Sequence, residues 1–180
     1  MSPFPSYRRL SALHGLFGAV ALVGLTVAVA PSGALAHEYK VGAIEIAHPW
    51  SRATPPGAKT GAGYLGLTNE GADADRLVGA SSPVAAKVEV HQMSVVDGIM
   101  KMGAVEGGLE IPAGGTVALE PGGYHLMLTG LTRPLVEGEK VPLALVFERA
   151  GRVEVELAVD KIGAKAPADG AEGKAHHHPE

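Results

Sequence analysis

From His37 onward, apolar and polar positions alternate with a short period, mostly two, and glycine or proline interrupts the pattern every few residues. Such alternation puts successive side chains on opposite faces of a strand. It predicts a first strand over Val41–Ile46, ended by His48–Pro49–Trp50, and a second over Gly63–Thr68, closed at Asn69–Glu70–Gly71. Leu77–Ala80 and Lys87–His91 follow, and Asp97–Gly98 is a hairpin signal leading into Ile99–Met102 and Gly103–Val105. Leu109–Ile111, Val117–Leu119, Leu143–Phe147 and Val153–Val159 are further strands. No segment keeps a period of 3.6, so the expected fold class is all-β, a sandwich or barrel of many antiparallel strands. The long connection through Gly130–Leu135 is the kind of crossing found in Greek-key sandwiches.

The two ends break this pattern. Arg8 and Arg9 precede an apolar run from Leu16 to Ala30, then Pro31 and Ala34–Leu35–Ala36. A positive start, an apolar middle and small residues before a cut predict a signal peptide over residues 1–36 and an exported protein. The apolar run falls short of the roughly 20 residues that span a bilayer, so no stable membrane insertion is expected after cleavage. Cleavage after Ala36 would leave His37 as the new N-terminus, able to chelate a divalent ion or simply to begin a loose end. Residues 37–162 are expected to form the folded domain. From Gly163 the chain turns to alanine, glycine, proline and charge, and it ends in His176–His177–His178–Pro179–Glu180. A disordered tail over 163–180 is expected.

Composition narrows the partners. The 180 residues are 46% hydrophobic and carry a formal net charge of -4, with no basic run interleaved with aromatics, so a nucleic-acid surface is excluded. There is no cysteine. That removes disulfides, thiolate metal ligands and the lipid attachment point of a bacterial lipoprotein. It also removes the ligand a blue-copper electron carrier requires. No nucleophile elbow, carboxylate pair or phosphate loop stands in the sequence, so no enzyme is expected.

The stretch Pro121–Gly122–Gly123–Tyr124–His125–Leu126–Met127–Leu128 concentrates the remaining chemistry. As a strand it faces His125 and Met127 one way and Leu126 and Leu128 the other. If Asp97–Gly98 is a two-residue turn, Met93 opposes Met102, Val95 opposes Met100, His91 opposes Ala104, and His91 and Met102 are diagonal neighbours on one face. Diagonal side chains start about 7–8 Å apart and can reach a common point. Two imidazoles and two neutral thioethers suit Cu(I) better than zinc. Methionines alternating on a strand also serve as packing, and both readings stand on the residues alone. Met93 and Met100 are weaker candidates of the same kind. Glu89 shares a face with His91 and is a candidate to orient its ring. Trp50 reads as a buried anchor of the first strand.

These residues resemble the periplasmic PCu(A)C copper chaperones, through His48–Pro49–Trp50, Tyr64–Leu65 with Thr68–Asn69, Val90–His91, Asp97–Gly98 with Met100–Lys101–Met102, and Pro121–Met127. The resemblance implies a cupredoxin-like Greek-key β-sandwich and a Cu(I) site of His91, Met102, His125 and Met127. It further implies a metallochaperone, expected as a monomer, that passes copper by ligand exchange to a thiol-containing assembly protein or to an oxidase copper domain. The alternative is a periplasmic copper storage or resistance protein. Similar proteins with histidine-bearing extensions suggest an auxiliary Cu(II) site at His176–His178.

Overall fold

The computed structural model describes residues 38–168; the expected signal peptide, His37 and the His176–His178 tail lie outside the described residues. Within them the chain is built of β1 (Glu38–Val41), β2 (Ile44–Arg52), β3 (Thr60–Asn69), β4 (Asp75–Ser81), β5 (Lys87–Val96), β6 (Ile99–Ala104), β7 (Leu109–Ile111), β8 (Thr116–Leu119), β9 (Tyr124–Thr129), β10 (Lys140–Phe147) and β11 (Gly151–Asp160). Every element is a strand, and the fold is cupredoxin-like.

Following the pairings, β5 joins β9, β9 and β8 join β3, and the path continues through β2, β11, β10 and β4. A single register pair, Ala80↔Val88, returns β4 to β5 and closes the ring. Eight strands thus form a barrel, with β1, β6 and β7 attached at its margins. Two pairings are parallel, β2 with β11 and β8 with β9, where the periodicity implied antiparallel neighbours throughout. Alternation reports which face a residue takes and carries no information on the direction of the neighbouring strand.

The barrel is filled by alternate residues. Ile44, Ile46, Leu67, Leu126, Leu128, Leu143, Leu145 and Leu157 are fully buried, and Leu131 and Leu135 of the long connection join the same core. Burying each such side chain stabilises the fold by roughly 1.5–3 kcal/mol.

Two local features depart from the periodic reading. A turn at Gly42–Ala43 splits the expected first strand into the β1–β2 hairpin. Then β2 does not end at His48–Pro49–Trp50 but runs on to Arg52. His48 adopts φ 45°, and the β2–β3 register shifts between Ala47 and Trp50, so one extra residue is accommodated. A bulge tolerates the proline, which has no N–H to give the ladder.

The compositional break at Gly163 also lies later in space than in sequence. Ala164 is buried against Trp50 and Tyr64, Arg52 Nε donates to the Ala164 carbonyl at 2.6 Å, and the Ala168 N–H donates to Asp160 Oδ2 at 3.2 Å. Ala164 is therefore packed on the barrel and Ala168 is tied to it by one hydrogen bond, which sequence composition did not suggest.

Candidate metal centre

The outer face of β6, β5, β9 and β3 carries the candidate residues. Asp97 and Gly98 have φ 54° and 75°, the pair of positive values that a type I′ turn demands. The turn sets the β5–β6 register with Met93 opposite Met102, Val95 opposite Met100 and His91 opposite Ala104. On the other side of β5, His91 stands opposite His125 and Glu89 opposite Met127. Opposed residues in a ladder share a face, so Met102, His91, His125 and Met127 all lie on one surface. Leu126 and Leu128, fully buried, hold β9 in the register that turns His125 and Met127 outward.

The face is graded in depth. His125 is buried, Met127, Met93 and His91 are half-buried, and Met102 is 52% exposed at the rim. The His91 and His125 ring centres are 6.0 Å apart at an interplanar angle of 59°. An ion bound to both rings at nitrogen distances of about 2.0–2.1 Å would set their centres roughly 5–6 Å apart, so the spacing admits one ion.

The ring nitrogens are differentiated by their partners. His125 Nδ1 lies 3.3 Å from the Gly123 carbonyl, which as acceptor selects the tautomer protonated at Nδ1 and leaves Nε2 with a free lone pair. His91 Nδ1 is buried with no hydrogen-bond partner. Such an orphaned donor or acceptor is costly unless something engages it, and a metal ion is one thing that does. Glu89 does not hydrogen-bond the His91 ring: its Oε2 is 3.9 Å from Nε2, while Oε1 pairs with Lys87 at 2.8 Å. The Lys87 contact, outweighing the smaller penalty of burial, holds the Glu89 carboxyl below its ordinary range.

A pocket of about 340 Å³ opens on this face, lined by Met93, Met102, His125 and Met127 together with Arg52, Thr60, Gly61, Ala62, Tyr64, Pro121 and Gly122. Sequence reasoning missed Arg52, Tyr64 and Ala62. Ala62 opposes Met127 across β3–β9, a register that no sequence signal announces. Trp50 is buried as expected, but in a small outer cluster with Tyr64 and Ala164, its ring centre 4.6 Å from that of Tyr64. The Arg52 guanidinium sits 5.4 Å from the Tyr64 ring centre. A second cleft of about 410 Å³, at the sparse β4–β5 seam, contains neither imidazole nor thioether. Among the described residues no three His, Asp or Glu side chains converge, so a hard-ion site of that type is not present there. The candidate residues of the β6–β5–β9 face offer nitrogen and neutral sulfur, donors that suit a soft monovalent ion, and the one carboxylate beside them, Glu89, is engaged by Lys87.

The family model described as "Putative lipoprotein LpqE-like" matches residues 44–159, the barrel from the start of β2 to one residue short of the end of β11. The chain belongs to the LpqE-like family. One relative, "Putative lipoprotein Lxx21020" of Leifsonia xyli subsp. xyli (strain CTCB07), is 31% identical over 143 residues, which are 78% of this chain and 85% of the relative. Lipoproteins are exported, and the family's description agrees with an exported protein. This LpqE-like sequence nevertheless holds no cysteine to which a lipid could be attached.

Solved structures extend the relationship. The copper-bound PCuAC domain from PmoF2 superposes with a TM-score of 0.59 at 31% identity, over 69% of this chain and 98% of that one. The apo PmoF2 PCuAC domain gives 0.60 at 31%, over 72% and 99%. The solution structure of CuI-DR1885 from Deinococcus radiodurans gives 0.53 at 34%, over 72% and 83%. The LpqE-like chain is thus a homologue of PCu(A)C-type domains in sequence as well as in fold.

Proposed function

We propose that this LpqE-like protein is a periplasmic Cu(I) carrier, in which His91, Met102, His125 and Met127 hold the ion as cargo and release it to a partner by ligand exchange. The observation that carries the reading is the opposition of His91 and His125, 6.0 Å between ring centres, with thioethers on the same face. Homology to domains solved with copper supports the choice of metal.

The chain's own residues account for the exchange chemistry. Buried His125 and half-buried His91 form the inner part of the site, and exposed Met102 is the ligand a partner reaches first. Neutral thioethers bind without losing a proton, so the ion can leave without a proton being returned. An acceptor offering thiolates binds Cu(I) more strongly than thioethers do, and transfer runs toward it. The recipients on this reading are a thiol-containing assembly protein or an oxidase copper domain, and no substrate bond is made or broken. The storage alternative depends on His176–His178, outside the described residues.

Titration with Cu(I) against a competing chelator, comparing the parent with Met102→Ala and Met127→Ala, tests the site. Both variants are expected to lose affinity; parental affinity in both would overturn the assignment. Transfer of the bound ion to a dithiol acceptor domain, followed in the same samples, tests the carrier role.

A further inference from the structure

Met93 stands outside the four-residue set, yet three observations place it beside the candidate residues. It lies directly opposite Met102 in the β5–β6 ladder. It lines the same pocket as Met102, His125 and Met127. Its backbone N–H donates at 3.1 Å to the Gly123 carbonyl, the same oxygen that orients the His125 ring. One carbonyl therefore fixes both the imidazole and the strand position of Met93. Met100, two residues from Met102 on the same face, provides a contrast: it is 65% exposed and does not line the pocket.

We propose that Met93 is a further thioether ligand, which engages the ion together with Met102 and His125 at the outer end of the pocket. The proposal rests on the Cu(I) reading of the site and adds an outer position to it. Directly opposed side chains have Cβ atoms about 4.5–5.5 Å apart, and the unbranched methionine chain turns its sulfur readily, so Met93 and Met102 can present two sulfurs to one ion. Replacing an imidazole by this sulfur exchanges one neutral donor for another, with no change in charge or protonation. The ion can then move from the inner His91–His125 pair toward the rim without being released to water. At the rim, an incoming partner sulfur meets an ion held by flexible thioethers.

The test uses the mature full chain with methionine labelled at the ε-methyl carbon, titrated with Ag(I) as the probe. The Met93, Met100, Met102 and Met127 resonances are assigned by Met→Leu variants that keep side-chain volume. The expected result is that the Met93 methyl shifts in step with that of Met102, saturating at one equivalent, while Met100 stays in place. If Met102 and Met127 respond and Met93 behaves like Met100, Met93 is packing only and the proposal fails while the four-ligand site stands. If none of the four responds, the underlying reading of the face as a soft-metal site fails instead.

Discussion

His91 on β5 and His125 on β9 are register partners in the barrel wall, with ring centres 6.0 Å apart. They belong to segments separated by the β5–β6 hairpin, β7 and β8, and only strand pairing brings them together. The two rings differ in their surroundings: the local Gly123 carbonyl accepts from His125 Nδ1, while His91 Nδ1 is buried and unpartnered. Substituting either histidine by alanine is expected to lower Cu(I) affinity at least as much as the roughly 10–100-fold typical of losing an outer-shell partner. Chelator competition reads this out, with far-ultraviolet circular dichroism showing that the barrel remains.

On the Cu(I) reading, the face on which Met102 lies matters as much as its presence. Exchanging it with its neighbour, Lys101→Met with Met102→Lys, keeps composition and thioether number but puts the sulfur on the opposite side of β6. Every residue of β6 is exposed, so stability should change by no more than about 0.5 kcal/mol. Cu(I) affinity is expected to fall as far as in Met102→Ala. Unchanged affinity in the exchanged variant would show that the register of the hairpin is irrelevant to binding.

Leu126 is the buried counterweight to His125 and Met127, which take the other face of β9. Leu126→Ala should cost about 2–5 kcal/mol in urea unfolding, the range for a fully buried leucine. A variant that loses stability in this range and also weakens Cu(I) binding would link core packing to ligand placement; a loss below 1 kcal/mol, read against the usual cost of large-to-small core changes, would contradict its burial.

Asp75 ties the β10–β11 turn to the start of β4. Its Oδ1 accepts the N–H groups of Arg76 at 2.7 Å and Arg149 at 2.9 Å, and Oδ2 accepts that of Ala150 at 2.9 Å. Burial alone would raise its pKa, but the three backbone donors, aided by the Arg149 charge, hold it below the ordinary 3.8. A carboxylate with a depressed folded pKa contributes stability that is complete above the unfolded value and lost as pH falls through the folded one. Asp75→Asn is expected to cost about 2–3 kcal/mol at neutral pH and to flatten the acid limb of the stability profile. Equilibrium unfolding across the acid range measures both.

Trp50 is the single tryptophan, and Ala164 covers it. Ending the chain after Asp160 should expose the indole and shift its fluorescence to longer wavelength, whereas ending it after Ala168 should leave the emission in place. Identical spectra from the two truncations would show that residues 161–168 do not pack on Trp50.

Much of this arrangement was legible in the order of residues. Period-two alternation identified most strands, the Asp97–Gly98 turn set the β5–β6 register to the residue, and His-x-Met on an alternating strand placed His125 and Met127 on one face. The reading failed where local pattern and tertiary context diverge. Pro49 read as a strand end because the bulge at His48 that accommodates it depends on the pairing with β3. Ala164 read as tail because alanine and glycine show no amphipathic period, and its packing comes from a ready-made Trp50–Tyr64 surface.

The sequence by itself determined most of the strand content, the faces of the strands and the supply of imidazole and thioether groups in a cysteine-free chain, since each follows from side-chain chemistry and a period of two. The tertiary structure alone decided that β9 pairs with β5 on one side and β3 on the other, that β4 returns to β5 to close the barrel, and that Met93 shares the Gly123 carbonyl with His125. Those relationships join residues far apart in the chain. They are selected by burial of the common core, a cooperative property that no single segment carries.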